Sequence, residues 1–123
     1  DALDLAGGSL TAGVGVPTTT TTAPPAALAL AETILRDLKD GSANTVKTAA
    51  TWAEFQRELE ADVRSAFSGW SDLDRARCYS VLLALRDYGY HMAIPETLIK
   101  EPTDVDARRV WVDARRQHGF ATT

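Results

Sequence analysis

Ser71-Asp72-Leu73-Asp74-Arg75-Ala76-Arg77-Cys78-Tyr79-Ser80-Val81-Leu82-Leu83-Ala84-Leu85-Arg86-Asp87-Tyr88 is the stretch that decides the fold. Cys78, Val81, Leu82, Leu85 and Tyr88 recur at three- and four-residue steps, the period that puts apolar side chains on one face of a helix. Ser71, Asp72 and Asp74 stand before that stripe. They offer capping oxygens to early backbone amides and negative charge to the positive end of the helix dipole. Leu73 and Leu83 fall off the stripe, so the helix is expected to be covered on more than one side, as a central member of a bundle is. Pro95 disfavours helical geometry at Ile94 and is expected to end the run. Between them lies a junction rich in large side chains, with Tyr88, Tyr90, His91, Met92 and Ile94 before Pro95.

Outward from this centre the same period recurs. Toward the N-terminus, Leu28, Ala31, Ile34, Leu35 and Leu38 follow Pro24 and Pro25, residues tolerated at a helix start, and Gly41 supplies a stop. Thr51 and Glu54 have capping-box spacing and predict a second helix from that point. Its apolar face is Trp52, Phe55, Leu59, Val63, Ala66 and Phe67, with Ser68 and Gly69 as its end. Toward the C-terminus, Thr103 is spaced to cap with Asp106 ahead of Ala107, Val110, Trp111 and Ala114, and Gly119 closes the helix. No period-two alternation runs beyond a few residues. The reading is all-α: an antiparallel bundle of three principal helices over residues 26–119, with an extra C-terminal helix and a tail at 120–123.

Residues 1–25 form an expected extended arm. Gly7, Gly8, Gly13 and Gly15 raise its ordering cost, Thr18 to Thr22 are β-branched, and Pro24 and Pro25 lack backbone donors. Such a segment gains order by contact with something else, or stays a solvated tail. Asp1 at the start fits a removed targeting peptide, a trimmed chain or further residues ahead of it, and the sequence does not separate these.

Composition narrows function by exclusion. The 123 residues carry 13 Lys and Arg against 17 Asp and Glu, a net charge of -4, whereas a dedicated nucleic-acid binder shows a basic excess. The last helix concentrates Arg108, Arg109, Arg115 and Arg116. With Lys100 they make five positive charges against Glu101, Asp104, Asp106 and Asp113, a sum of only +1, leaving these arginines to pair with acidic groups of this chain or of a partner. Apolar runs such as Ala26 to Ala31 are far shorter than the ~20 residues of a membrane-spanning helix.

No catalytic constellation emerges. Cys78 and His91 stand thirteen positions apart, roughly 20 Å along a helix, with the thiol on the apolar stripe. Glu54, Glu58 and Asp62 line one helical face as di-metal carboxylates do, but neither His91 nor His118 follows a Glu at three residues. Arg57 and Arg64 turn the row into a solvated charged face. Gly13-Val14-Gly15 lacks the third glycine and the helix of a nucleotide loop. No cofactor, metal, nucleic acid or small-molecule substrate is therefore expected. Trp70, Tyr88, Tyr90, Met92, Ile94 and Trp111 together read equally well as a satellite core closing the end of the bundle or as a partner interface, where aromatic and Met side chains are enriched.

Read in order, the pieces resemble the thirteen-kilodalton alpha-subcomplex accessory subunit of mitochondrial complex I, the ETC complex I subunit family. Thr11-Ala12-Gly13-Val14-Gly15-Val16 is similar to the family's opening Thr-x-Gly-apolar-apolar-Gly-apolar, one residue shorter. Ile34-Leu35-Arg36-Asp37-Leu38 resembles its Ile-Leu-x-x-Leu step. Tyr90, Met92 and Pro95 stand at its tryptophan-rich junction, and Leu98-Ile99-Lys100-Glu101-Pro102 resembles Leu-Val-Glu-Glu-Pro. The likeness covers most of Thr11 to Pro102. It departs at Val46-Lys47, where the family has Tyr-Arg, in two extra residues between Pro95 and Leu98, and in a C-terminal helix without counterpart.

The resemblance implies a non-catalytic structural subunit of the inner-membrane complex, on the matrix side, packing on other protein subunits and stabilising the quinone-reducing module. Interface residues would be Thr11, Gly13, Val14, Gly15 and Val16 of the arm, then Tyr88, Tyr90, Met92, Ile94, Pro95 and Trp111. A subunit of another large assembly, an organelle complex or a phage head–tail connector, fits the same helices. A small helical enzyme fits them least.

Overall fold

The computed structural model describes residues 23–119. The described residues are all-helical, 69% helix, with five helices and no strand among them. The arm motif from Thr11 to Val16 and the tail at 120–123 lie outside the described residues.

Helix α1 spans Ala26–Asp40, directly after Pro25. Ala27, Leu28, Ala31 and Ile34, at steps of one, three and three, are its buried face. Gly41 ends it with φ of 77°, a left-handed turn that costs glycine little, and its N–H donates to the Asp37 carbonyl.

Helix α2, Thr45–Arg64, begins six residues before the expected start. Asn44 is the N-cap, its side chain accepting from the Lys47 N–H at 3.0 Å. Nothing in Thr45 to Ala50 breaks a helix, so the stronger capping residue upstream wins. Thr51 instead lies inside the helix and donates its hydroxyl to the Lys47 carbonyl at 2.9 Å. The helix also stops early. Val63, still within the helix, is 44% exposed; Ala66 and Phe67 then take φ of 54° and 57°, so the chain winds left after Ser65 and leaves Ala66 exposed, while Phe55, Leu59 and Phe67 are buried.

Helix α3, Asp72–Arg86, has the expected capping residues in a reciprocal box. Ser71 accepts from the Asp74 N–H at 3.0 Å, and the Asp74 carboxylate accepts from the Ser71 N–H at 3.3 Å. Seven of its side chains are buried: Ala76, Cys78, Tyr79, Val81, Leu82, Leu83 and Leu85. Pro95 does not end it. Asp87, Tyr88 and Gly89 donate in turn to the carbonyls of Ala84, Leu85 and Arg86, tightening the last turn, and Gly89 at φ of 93° reverses the chain.

Pro95 instead precedes a short helix that the sequence did not announce, α4 at Glu96–Ile99, anchored by the buried Leu98. Helix α5 is Val105–Gln117. Its cap is Asp104 rather than Thr103: the Asp104 carboxylate accepts from the Ala107 N–H at 2.9 Å. Ala107, Trp111 and Ala114 face inward.

In space α3 approaches α1, α4 and α5, while α2 approaches α1. That places α3 at the centre, as its doubled apolar surface requires. One continuous core runs through all five helices, from Leu28 and Phe55 to Leu82, Leu98 and Trp111. No described helix is long and apolar enough to cross a membrane.

Candidate partner interface

The segment from Tyr88 to Pro95 is built by the turn that ends α3. The Tyr90 N–H returns to the Leu85 carbonyl at 3.1 Å, which fixes the exit of the chain. From there the backbone alternates: Tyr90, Met92 and Ile94 are partly buried against the core, while His91 and Ala93 between them are exposed. Alternation is what an extended chain does when laid over an apolar surface, because successive side chains point to opposite faces. Tyr90 meets Trp52 of α2 edge to face at 5.3 Å, and Trp52 in turn stacks on Phe55 at 5.2 Å. Tyr88, expected on the buried stripe of α3, is 45% exposed because the helix has already ended. Pro95, partly buried, hands the chain to α4.

Five of the expected interface residues therefore form one continuous strip, Tyr88, Tyr90, Met92, Ile94 and Pro95. Trp111 is elsewhere, in the contact of α5 with α3. It stacks on Tyr79 at 5.8 Å, with the Arg115 guanidinium 5.0 Å from its ring, and Arg115 donates to the Tyr79 hydroxyl at 3.0 Å. Trp70 is also buried, edge to face with Phe67 at 5.0 Å. Trp52, not singled out as an interface residue, joins the strip. Its position on the same helical face as Phe55 and its size were the available signal. Thr11, Gly13, Val14, Gly15 and Val16 lie outside the described residues.

The remaining chemistry is quiet. Burial, then the charges of Asp62 and Glu32, push the Cys78 thiol up to about 12, so it stays protonated and unreactive at neutral pH. His91 is exposed and Cys78 is fully buried, and nothing pairs them. Among the described residues no group of His, Cys, Asp and Glu could hold a metal ion. The arginines of α5 have acidic neighbours: Arg108 lies 3.7 Å from Glu101, Arg109 3.9 Å from Asp106 and Arg116 4.0 Å from Asp113. No family model, curated protein or solved structure matches the chain.

Proposed function

We propose that this chain is a structural, non-catalytic subunit of a large protein assembly, and specifically an accessory subunit of mitochondrial complex I. It packs on the matrix arm of the inner-membrane complex and stabilises the quinone-reducing module through contacts with other subunits. In this reading α1, α2 and α3 form an antiparallel three-helix bundle, with α5 as an addition.

The observation that carries the reading is the Tyr88–Pro95 strip. Three apolar side chains half-sunk into the core, beside an exposed tyrosine and a tryptophan, form the kind of aromatic- and Met-rich patch that partner surfaces favour. The sequence likeness between Thr11 and Pro102 supplies the particular assembly.

The test is native purification of the endogenous protein in mild detergent, with mass spectrometry of what comigrates. Core subunits of NADH:ubiquinone oxidoreductase are the expected companions. A Tyr88→Asp chain, altered at an exposed position, is expected to fold normally and to be lost from the complex. Comigration with a different assembly would discard complex I, and a lone monomer would discard the structural role.

A further inference from the structure

We propose that the Asp40–Gly41 bond, where α1 gives way to the link into α2, is the chain's site of spontaneous isoaspartate formation, held closed by the C-cap of α1 and by Ser42. Of the Asp and Asn residues in the sequence, Asp40 alone precedes a glycine. Cyclisation at such a step needs the next residue's backbone nitrogen to reach the side-chain carboxyl carbon, and glycine, with no Cβ, leaves that approach open. Asp40, Gly41 and Ser42 are all exposed, so water and a modifying enzyme can reach the bond.

The chemistry balances with water as the only co-reactant. The Gly41 nitrogen attacks Cγ of the protonated Asp40 carboxyl group, an N–Cγ bond forms, and the amide hydrogen leaves with the carboxyl hydroxyl as water. A cyclic imide results. Water then adds at the α-carbonyl carbon of residue 40 and breaks its bond to the Gly41 nitrogen, so that the main chain runs through Cγ and the α-carboxylate becomes a side group. Addition at Cγ instead restores aspartate.

Each requirement of the first step is opposed by a bond of the folded chain. The Gly41 N–H donates to the Asp37 carbonyl, which fixes the plane of the peptide that must turn. Asp40 Oδ1 accepts from the Ser42 N–H at 3.0 Å and from the Ser42 hydroxyl at 2.6 Å, so the carboxyl group is drawn toward residue 42. Those two bonds, the hydroxyl's first, also hold Asp40 below the usual carboxylate range, and the protonated form that cyclises is correspondingly scarce at neutral pH. The lock is local. It sits in the last, exposed turn of α1, where Asp37 and Asp40 both stand at the negative end of the helix dipole, and such turns open far more readily than a core. Isomerisation lengthens the main chain by one carbon at residue 40 and so displaces Gly41 from the Asp37 carbonyl.

The experiment ages the full chain at neutral pH, folded and in guanidinium chloride. Isoaspartate is read by methyl transfer from S-adenosylmethionine, with an isoaspartyl methyltransferase as reagent, and located by peptide mapping. Label is expected at residue 40, accumulating faster in denaturant than in buffer. Ser42→Ala, at an exposed position, is expected to keep the melting temperature and to raise the rate in buffer by roughly two- to tenfold, the scale of one lost hydrogen bond, while matching the parent chain in denaturant. The comparison of folded and denatured parent needs no variant, so the test survives a Ser42→Ala chain that does not fold. Gly41→Ala in denaturant is expected to lose most of the label. Label mainly at another residue, equal rates for folded and denatured parent, or a folded Ser42→Ala chain that ages no faster than the parent would overturn the proposal.

Discussion

His118 Nδ1 lies 3.0 Å from the Asp87 carboxylate, joining the last turn of α5 to the last turn of α3. The two residues are the C-caps of their helices, where dipoles leave unsatisfied carbonyls and negative potential. The imidazole sits beside the carboxylate and blunts the cost of placing Asp87 at such an end. His118→Ala is expected to lower stability by about 0.5–1 kcal/mol and Asp87→Ala by less, since that change also removes an ill-placed negative charge. A double-mutant cycle by urea denaturation should return a coupling of about 0.2–1 kcal/mol. Zero coupling would mean the pair does not tie the helices.

Leu82 and Leu85 are fully buried at the centre of α3, whereas Leu73 on the same helix is 38% exposed. Truncating either core leucine to alanine removes buried methyl groups and leaves a cavity, an expected loss of about 2–5 kcal/mol. Leu73→Ala should stay within about 1 kcal/mol, nearer the range of surface changes. Equal losses at the three positions, read from denaturation midpoints, would contradict the placement of α3 at the centre.

These contrasts show which parts of the fold the sequence expressed. The core face of α3 and its capping box are legible because both are local: periodicity and a cap four residues long need no tertiary partner. The boundaries that failed were set by competition or by turns. Asn44 outbid Thr51 as a cap, and Asp104 outbid Thr103, because two capping residues stood within reach of one helix. The end of α3 at Arg86 depended on Gly89 reversing the chain, a stronger stop than Pro95 six residues on. At the candidate interface, Tyr90, Met92 and Ile94 were legible as apolar, but not as a strip, since five alternating residues are too few to separate from a loop. Trp111 is core because Tyr79 faces it from α3, a relation 32 residues apart in sequence that no local pattern carries.

Cys78 gives the fold a pH dependence whose sign follows from burial. Its thiol rises from 9.0 to about 12 in the folded chain, so between those values the unfolded chain loses a proton that the folded chain keeps. The folded state then binds more protons, and stability falls as pH rises, by up to about 1.4 kcal/mol per pH unit. Below pH 9 the contribution is fully present. Melting temperatures of the parent chain and of Cys78→Ala should therefore run parallel up to pH 8 and converge between pH 9 and 11. Parallel curves throughout would show that the thiol is not desolvated.

Ala66 and Phe67 hold consecutive left-handed backbone conformations, φ of 54° and 57°, which cost an L-residue roughly 1–2 kcal/mol each. The turn persists because it drives Phe67 into the core, where the ring is buried and meets Trp70 edge to face at 5.0 Å. Ala66 is exposed, so its methyl group contributes no core packing to offset its share of the strain. Glycine there relieves the backbone at the expense of a more flexible unfolded chain, which takes back part of the gain. Ala66→Gly is thus expected to stabilise by about 0.5–1 kcal/mol, whereas Phe67→Gly should destabilise by about 3 kcal/mol or more through loss of the buried ring. The two changes relax neighbouring residues of one turn yet move stability in opposite directions. Urea midpoints that fall for both would place the strain elsewhere.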